Sequence, residues 1–246
     1  MSSGFYSAVS GMVAKLQTLD TITNNLSNAN TFGFKSDRYR FDALLDGASQ
    51  DQQAMGVNFS SVGNGFVDFS QGAPQYTGNP LNLAINGDGF FKVQGTVDGQ
   101  SGDFYTRLGS FKVDSNGNLL TTSGLKVLDA GGQPITAPNG KVTLDHNGQL
   151  LDASGTVVGT VGLFTVPDQS QLSKLGGGLF MAPAGTTDQA ASSPDFSAKS
   201  LEASNVHMFQ QMAEMMDTQR IYEAYNKVLK TYSSLASKAD DLGSLS

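Results

Sequence analysis

Residues 24–35 read Asn24-Asn25-Leu26-Ser27-Asn28-Ala29-Asn30-Thr31-Phe32-Gly33-Phe34-Lys35, and this stretch marks where a long apolar repeat stops. Upstream of it Phe5, Val9, Met12, Leu16, Leu19 and Leu26 recur at spacings of three and four, with Thr23 in the empty slot. That period predicts an amphipathic helix over residues 4–30 with an a/d seam. At 1.5 Å per residue the helix would be about 40 Å long. Asn and Gly tolerate the left-handed backbone that closes a helix, so the helix should end within the stretch. Gly33 should let the chain reverse while Phe32 and Phe34 anchor it against the helices.

The other end of the chain has the same character. No Gly lies between Gly185 and Gly243, no Pro precedes Pro74 and none follows Pro194. Breakers are thus concentrated in the middle, which predicts helical ends around a β-rich centre. The last helix should start near Ala203-Ser204, with Ser204 as N-cap, and run to about Leu242. Ile221, Tyr225, Val228, Tyr232, Leu235, Ala239 and Leu242 form one heptad stripe, and Met208, Met212, Met215, Tyr222 and Leu229 a second, offset around the axis. Two apolar faces imply neighbours on two sides; a single broad stripe buried in a monomeric bundle is the other reading. Asp217, Arg220, Glu223 and Lys227 follow at helical spacing, either as a solvated ladder or as register-setting charges between neighbours.

Between the helices, residues 35–80 form a polar, Gly-, Ser-, Gln- and Asn-rich linker. Val57 with Phe59 and Val67 with Phe69 alternate there, a weak hairpin pattern. Residues 81–202 then read as all β. Short strands such as Phe90-Phe91-Lys92-Val93, Val142-Thr143-Leu144 and Val161-Gly162-Leu163-Phe164 alternate with turn signals. Asn86-Gly87, Asn116-Gly117, Asn139-Gly140 and Asn147-Gly148 are hairpin dipeptides in which both residues accept positive φ. Residues 113–124 repeat as residues 144–155: each copy has an Asp two residues before Asn-Gly, then Leu-Leu, then Ser-Gly. Two similar hairpins account for this; two copies are too few for a solenoid.

Composition and motifs exclude most chemistries. The 246 residues suffice for one large domain or two small ones. Apolar content of 39% favours folding, while 29 Gly and only 15% charged residues point to turn-rich β structure rather than coiled coil alone. Net charge is −7, with +2 on residues 1–40, −2 on residues 201–246 and the rest in the middle. No basic patch is dense enough for nucleic acid. The absence of Cys rules out disulfides and thiolate sites. No apolar run is long enough to span a membrane. The first residues lack the features of a secretory signal, which by itself would place the chain in the cytoplasm.

Asp114-x-Asn116-Gly117 and Asp145-x-Asn147-Gly148 lack the ligands of a calcium loop and read as turns whose Asp bonds local backbone. Gly87-Asp88-Gly89 and Gly176-Gly177-Gly178 lack the context of phosphate loops. His146 and His207 are the only histidines and have no ligand spacing around them. No Gly-x-Ser-x-Gly elbow occurs. No catalytic residue, cofactor, metal or small-molecule substrate is therefore expected.

Three segments in order resemble one family, the flagellar basal-body rod and hook proteins. Residues 24–35 look like its N-terminal signature, carried by Asn24, Asn25, Leu26, Asn28, Gly33, Phe34 and Lys35. Residues 86–93, Tyr105-Thr106-Arg107-Leu108-Gly109-Ser110-Phe111 and residues 114–119 are similar to its central β domain. Glu202-Ala203-Ser204-Asn205-Val206, with Gln219-Arg220-Ile221-Tyr222-Glu223, is similar to its C-terminal motif.

The resemblance implies an α+β chain of several parts. Residues 1–34 and 203–246 would pair as a discontinuous coiled-coil inner domain, with the β domain facing outward. It implies a structural subunit whose interface residues are Phe5, Val9, Met12, Leu16, Leu19, Leu26, Met208, Met212, Met215, Ile221, Tyr222, Tyr225, Val228, Leu229, Tyr232 and Leu235. Its partners would be other rod subunits, copies of itself and the flagellar type III export apparatus. Its place would be the rod in the periplasmic space, reached without a cleaved signal peptide; this reverses the cytoplasmic expectation. The short spacer between residues 35 and 89 looks most like a proximal-rod member, with a distal-rod member the alternative. A secreted β-domain enzyme or adhesin is the competing class, and it leaves the two heptad-patterned ends unexplained.

Overall fold

A computed structural model describes residues 2–45, 58–137, 142–183, 185–191 and 194–243. Asn139-Gly140 and the whole segment 46–57, Val57 included, lie outside the described residues, as do the side chains of Phe59, Ala239 and Leu242. The fold is α+β, with one helix near each end of the chain and β structure between them. The chain divides into two compact units. The helical unit comprises Met1–Ser27, Asp37–Phe66 and Val206–Ser246, and the β unit Asn28–Ser36 and Val67–Asn205.

In the helical unit α1 spans Ser2–Ser27 and α2 spans Met208–Gly243. The two helices pack against each other. Asn25 meets Gln211 at 3.4 Å, and Tyr225 crowds Gly11, fourteen residues further in each direction. The helices are therefore antiparallel. Strands β1 (Asp37–Leu45) and β2 (Asn58–Val67) form a two-stranded sheet in the same unit. Residues 59 and 67, whose alternation suggested a weak hairpin, both fall in the single strand β2, and its partner is β1.

Helix α2 starts later than residues 203–204, so Ser204 is not its N-cap. Residues 203–206 are held outside the helix because Ala203 N donates to Ala73 O (2.9 Å) and the Asn205 side chain bonds backbone of two other segments. The first helical bond described is Gln211 N to His207 O.

The β unit is built around β3 (Phe90–Val97), which pairs antiparallel with β4 (Gln100–Thr106) over seven residue pairs, from Phe91–Thr106 to Val97–Gln100. Adjacent side chains of a strand point to opposite faces, so Phe90 and Phe91 serve different cores. Phe91 lies with Phe104, Phe111, Leu119, Val127 and Phe196 in the larger cluster. Phe90 lies with Tyr105, Phe164 and Phe180 in the smaller one, which Phe69 also joins. Complete burial of a Phe stabilises by about 2–3 kcal/mol relative to exposure, so the Phe90-Phe91 pair ties both cores to one strand.

The repeated segments do form similar hairpins. Phe111–Val113 pairs with Leu119–Thr121, and Thr143–Leu144 with Gln149–Leu151. Their turns are not the two-residue kind, because only the Gly is left-handed, with φ +85° at Gly117 and +73° at Gly148. Asp114 Oδ1 accepts from Asn116 N (2.9 Å) and Asn118 N (2.7 Å), and Asp145 Oδ1 from Asn147 N (2.9 Å) and Gln149 N (2.8 Å). The side-chain oxygen replaces a backbone acceptor and leaves one left-handed position for Gly. Asp129 with Gly132 and Asp152 with Gly155 repeat the same bonds. Asn86-Gly87 also turns the chain but joins no hairpin, since Leu83–Ile85 pairs with Phe196–Ala198 rather than with β3.

Candidate functional site

Two arrangements stand out, one in each unit. The first is the distribution of apolar residues on the helices. On α1 the buried positions are Ala8, Gly11, Ala14, Ile22 and Asn25, a stripe of mostly small residues. The bulky stripe read from the sequence lies to one side of it. Phe5 and Leu16 are exposed, and Val9, Met12, Leu19 and Leu26 are half-buried. On α2 Thr218 is buried, and Met208, Met215, Tyr222, Tyr225, Leu229 and Tyr232 are half-buried. Ile221, Val228 and Leu235, seven residues apart, are exposed, as is Met212. Phe209 is 87% exposed and Met216 54%. Contact between the two helices therefore uses one stripe of each and leaves a second stripe on each uncovered within the chain.

The small stripe has a steric cause. A Cβ at Gly11 would sit 2.7 Å from Cζ and the hydroxyl of Tyr225. Asn25, from the N-terminal signature, is structural too. Its amide donates to Asp37 O (2.8 Å) and accepts from Asp37 N (2.9 Å), which ties the start of β1 to α1. Gln219, Arg220 and Glu223 are exposed on α2. Arg220 approaches Asp217 at 3.8 Å, with both side chains more than 70% exposed. Such a pair is worth a few tenths of a kcal/mol.

The second arrangement lies inside the β unit. Lys35, Arg107 and Glu202 are each about 1% exposed. Lys35 Nζ is 2.6 Å from Glu202 Oε1 and donates to Ser70 O at 2.7 Å. Gly72 N donates to the same carboxylate oxygen at 2.8 Å. Arg107 Nη1 is 3.3 Å from Glu202 Oε2 and donates to Gly87 O at 3.0 Å. The guanidinium carbon lies 5.2 Å from the centre of the Phe90 ring, and the guanidinium Nε is buried without a hydrogen-bond partner. Burial pulls both cations below their ordinary pKa values, and Glu202 opposes that shift at each.

Gly33 and Phe34 belong to this β unit and not to the helices, which corrects the anchoring read from the sequence. Gly33 has φ +69° and donates its N–H to Glu202 O at 2.8 Å. A Cβ there would lie 2.8 Å from Leu108 N, so the close approach of backbone requires Gly. Phe34 is buried beneath Lys174, whose Nζ is 4.0 Å from the ring centre and donates to Lys35 O at 2.8 Å. Ser36 N donates to Asn205 Oδ1 (2.9 Å), and Asn205 Nδ2 donates to Asp68 O (2.7 Å).

Lys35, Arg107, Glu202 and Asn205 all fall in segments quoted from the sequence, but the pairing of Lys35 and Arg107 with the Glu202 carboxylate was not anticipated. A signal was available: Arg107 is the only Arg between Arg40 and Arg220, and Glu202 is the first Glu of the chain. A β unit otherwise charged with Asp and Lys uses a forked cation and a longer carboxylate once each. Among the described residues no grouping of His, Asp and Glu could hold a metal ion, and no helix is long and apolar enough to cross a membrane.

Three family models match the chain. Residues 5–35 match the flagella basal body rod protein model, residues 84–149 the flagellar hook protein FlgE/F/G D1 domain, and residues 197–242 the C-terminal region of flagellar basal body rod FlgEFG proteins. The flagellar basal-body rod protein FlgF of Caulobacter vibrioides is 32% identical, with 97% of each chain covered. The chain belongs to the flagellar basal-body rod protein family. FlgG of Bacillus subtilis is also 32% identical, over 94% of this chain and 95% of its own, and FlgF of Mesorhizobium japonicum is 31% identical over 97% of each. Each member of the buried ion network falls in a different family segment: Lys35 closes the first, Arg107 lies in the second and Glu202 in the third. The three rod-family motifs thus meet at one carboxylate in the fold.

Proposed function

We propose that this rod-family chain is a subunit of the proximal rod, of the FlgF kind, which assembles helically with copies of itself and with other rod subunits. Structural assembly is the role of the family, and the chain is not an enzyme. In this reading α1 and α2 pair as a coiled-coil inner domain lining the axis, and the β unit faces outward. The protein sits in the flagellar basal body, in the periplasmic section of the rod, after passage through the flagellar export apparatus without a cleaved signal.

The observation that carries assembly is the second, uncovered stripe on each helix: Phe5 and Leu16 on α1, and Ile221, Val228 and Leu235 on α2. A helix whose apolar residues exceed what its own chain can cover requires another chain. The distal-rod, FlgG-like reading has an observation in its favour as well, since a FlgG relative matches the 32% identity of a FlgF relative.

The test is Val228→Asp. A carboxylate placed in an apolar interface costs several kcal/mol per subunit, yet at an exposed position it leaves the chain folded. The variant should be expressed, keep the melting temperature of its β unit and fail to restore motility to a strain lacking this protein. Normal motility would refute assembly through this stripe.

A further inference from the structure

The chain crosses between the helical and β units at 27–28, 36–37, 66–67 and 205–206, and the last three crossings adjoin residues 35–36, 67–70 and 202–205. These three segments are bonded to one another within the β unit. Asp68 N donates to Ser36 O at 2.8 Å, Ser36 N donates to Asn205 Oδ1, and Asn205 Nδ2 closes the ring at Asp68 O. Beneath that ring Lys35 bridges Ser70 O and Glu202, while Glu202 also takes Gly72 N and Arg107. Arg107 fastens the assembly to the sheet through Gly87 O.

We propose that Lys35, Glu202, Arg107 and Asn205 form a junction clamp that locks the three exit segments into one rigid block. The chain then leaves the β unit in a single set of directions. The chemistry favours this role over simple stabilisation. Removing three charged groups from water is costly, and apolar residues of similar volume usually stabilise as well or better. What apolar residues cannot supply is directed bonding. Two cations, one carboxylate and a side-chain amide here fix backbone atoms of three separate stretches, at Ser36, residues 68–72 and Gly87. A rod subunit must present its helices in the same way in every copy, so the clamp rests on the assembly reading for its purpose but not for its existence.

The test uses the full chain carrying Lys35→Met, Arg107→Met and Glu202→Gln, which removes all three charges of the network together and keeps an acceptor for Gly72 N. A second variant, Asn205→Ala, breaks only the upper ring. The β unit of each should melt within a few degrees of the parent, while amide exchange in residues 33–36, 68–72 and 203–205 rises at least tenfold. Neither variant should restore motility where the parent does. A triple variant that loses its β fold would make the network a stability element and overturn the clamp. Folded variants with unchanged exchange at these segments would overturn it too, as would full motility with raised exchange. If the parent itself fails to restore motility, the rod reading fails, and the exchange measurement still decides the clamp.

Discussion

Lys35 and Glu202, 167 residues apart in the chain, meet at 2.6 Å with both side chains 1% exposed. Glu202 is the hub, because it answers two cations and one backbone N–H. Glu202→Ala leaves those three donors buried without their acceptor. The expected loss is about 3–5 kcal/mol, read as a lower urea midpoint at unchanged slope. Asp217→Ala, which removes an exposed pair on α2, should change stability by less than about 0.5 kcal/mol. Equal effects of the two substitutions would show that the buried network carries no special weight.

Acid should weaken the β unit through its turns. Hydrogen bonds from Asn118 hold the Asp114 carboxyl below its ordinary value, and bonds from Ser154 and Thr156 do the same at Asp152. A depressed native pKa means that the unfolded chain binds more protons in the window between the two values. Stability therefore rises with pH there. The contribution is complete above the ordinary Asp value near 3.9 and disappears as pH falls through the lower native one. Asp114→Asn with Asp152→Asn keeps a carbonyl acceptor in each turn and removes the titration. Melting temperature followed from pH 6 to pH 2 should fall less steeply in the variant than in the parent. An identical slope would mean that these carboxylates do not couple to folding.

These turns also show what the sequence could convey. The pairing of Asp114-x-Asn116-Gly117 with Asp145-x-Asn147-Gly148 was legible because the bonds are local: an Asp reaches N–H groups two and four residues ahead. The same geometry at Asp129 and Asp152 was harder to see, since Gly or Ser replaces Asn and only Asp and Gly persist. The lowered carboxyl pKa values also give the acidic middle of the chain a structural meaning. The helices were legible from their period, but which stripe faces the partner helix was not. Bulky residues drew attention to Phe5, Val9 and Leu16, whereas the close approach of α1 and α2 selects Ala8, Gly11 and Ala14. The start of α2 was misplaced because Asn205 bonds backbone of Ser36 and Asp68, partners more than 130 residues away. Local capping preference had no access to such long-range bonds.

Gly11 offers a direct test of the helix contact. Its missing side chain makes room for the Tyr225 ring. Gly11→Leu should force the ring aside and separate the helices, lowering the thermal midpoint of the helical signal while the β unit keeps its own transition. Gly11→Ala is the milder probe. It gains about 1 kcal/mol in helix propensity and must displace the same ring, so its net effect should be small. A Gly11→Leu chain with an unchanged helical midpoint would place the helix contact elsewhere.

The last expectation separates proximal from distal rod. A tube built from different subunits grows as each layer docks on the one before it. Specificity must then reside on surface next to the shared helical seam, where a wrong partner can be refused. The stretch from residue 46 to 79 is the best candidate. It follows β1 directly in the chain and is too polar in composition to be core. Its far end, residues 71 and 73–79, is exposed, and Tyr76 is 72% exposed. A short spacer between Lys35 and Gly89 suits a subunit that forms a brief section of axis and meets different partners above and below. Loss of this protein should then halt the structure before the distal rod and hook appear, and an intact basal body should contain only a few copies. Counting copies in an image reconstruction of the intact axis measures this directly. A count in the tens, reaching the base of the hook, would overturn the proximal assignment in favour of the distal one, while leaving membership of the rod untouched.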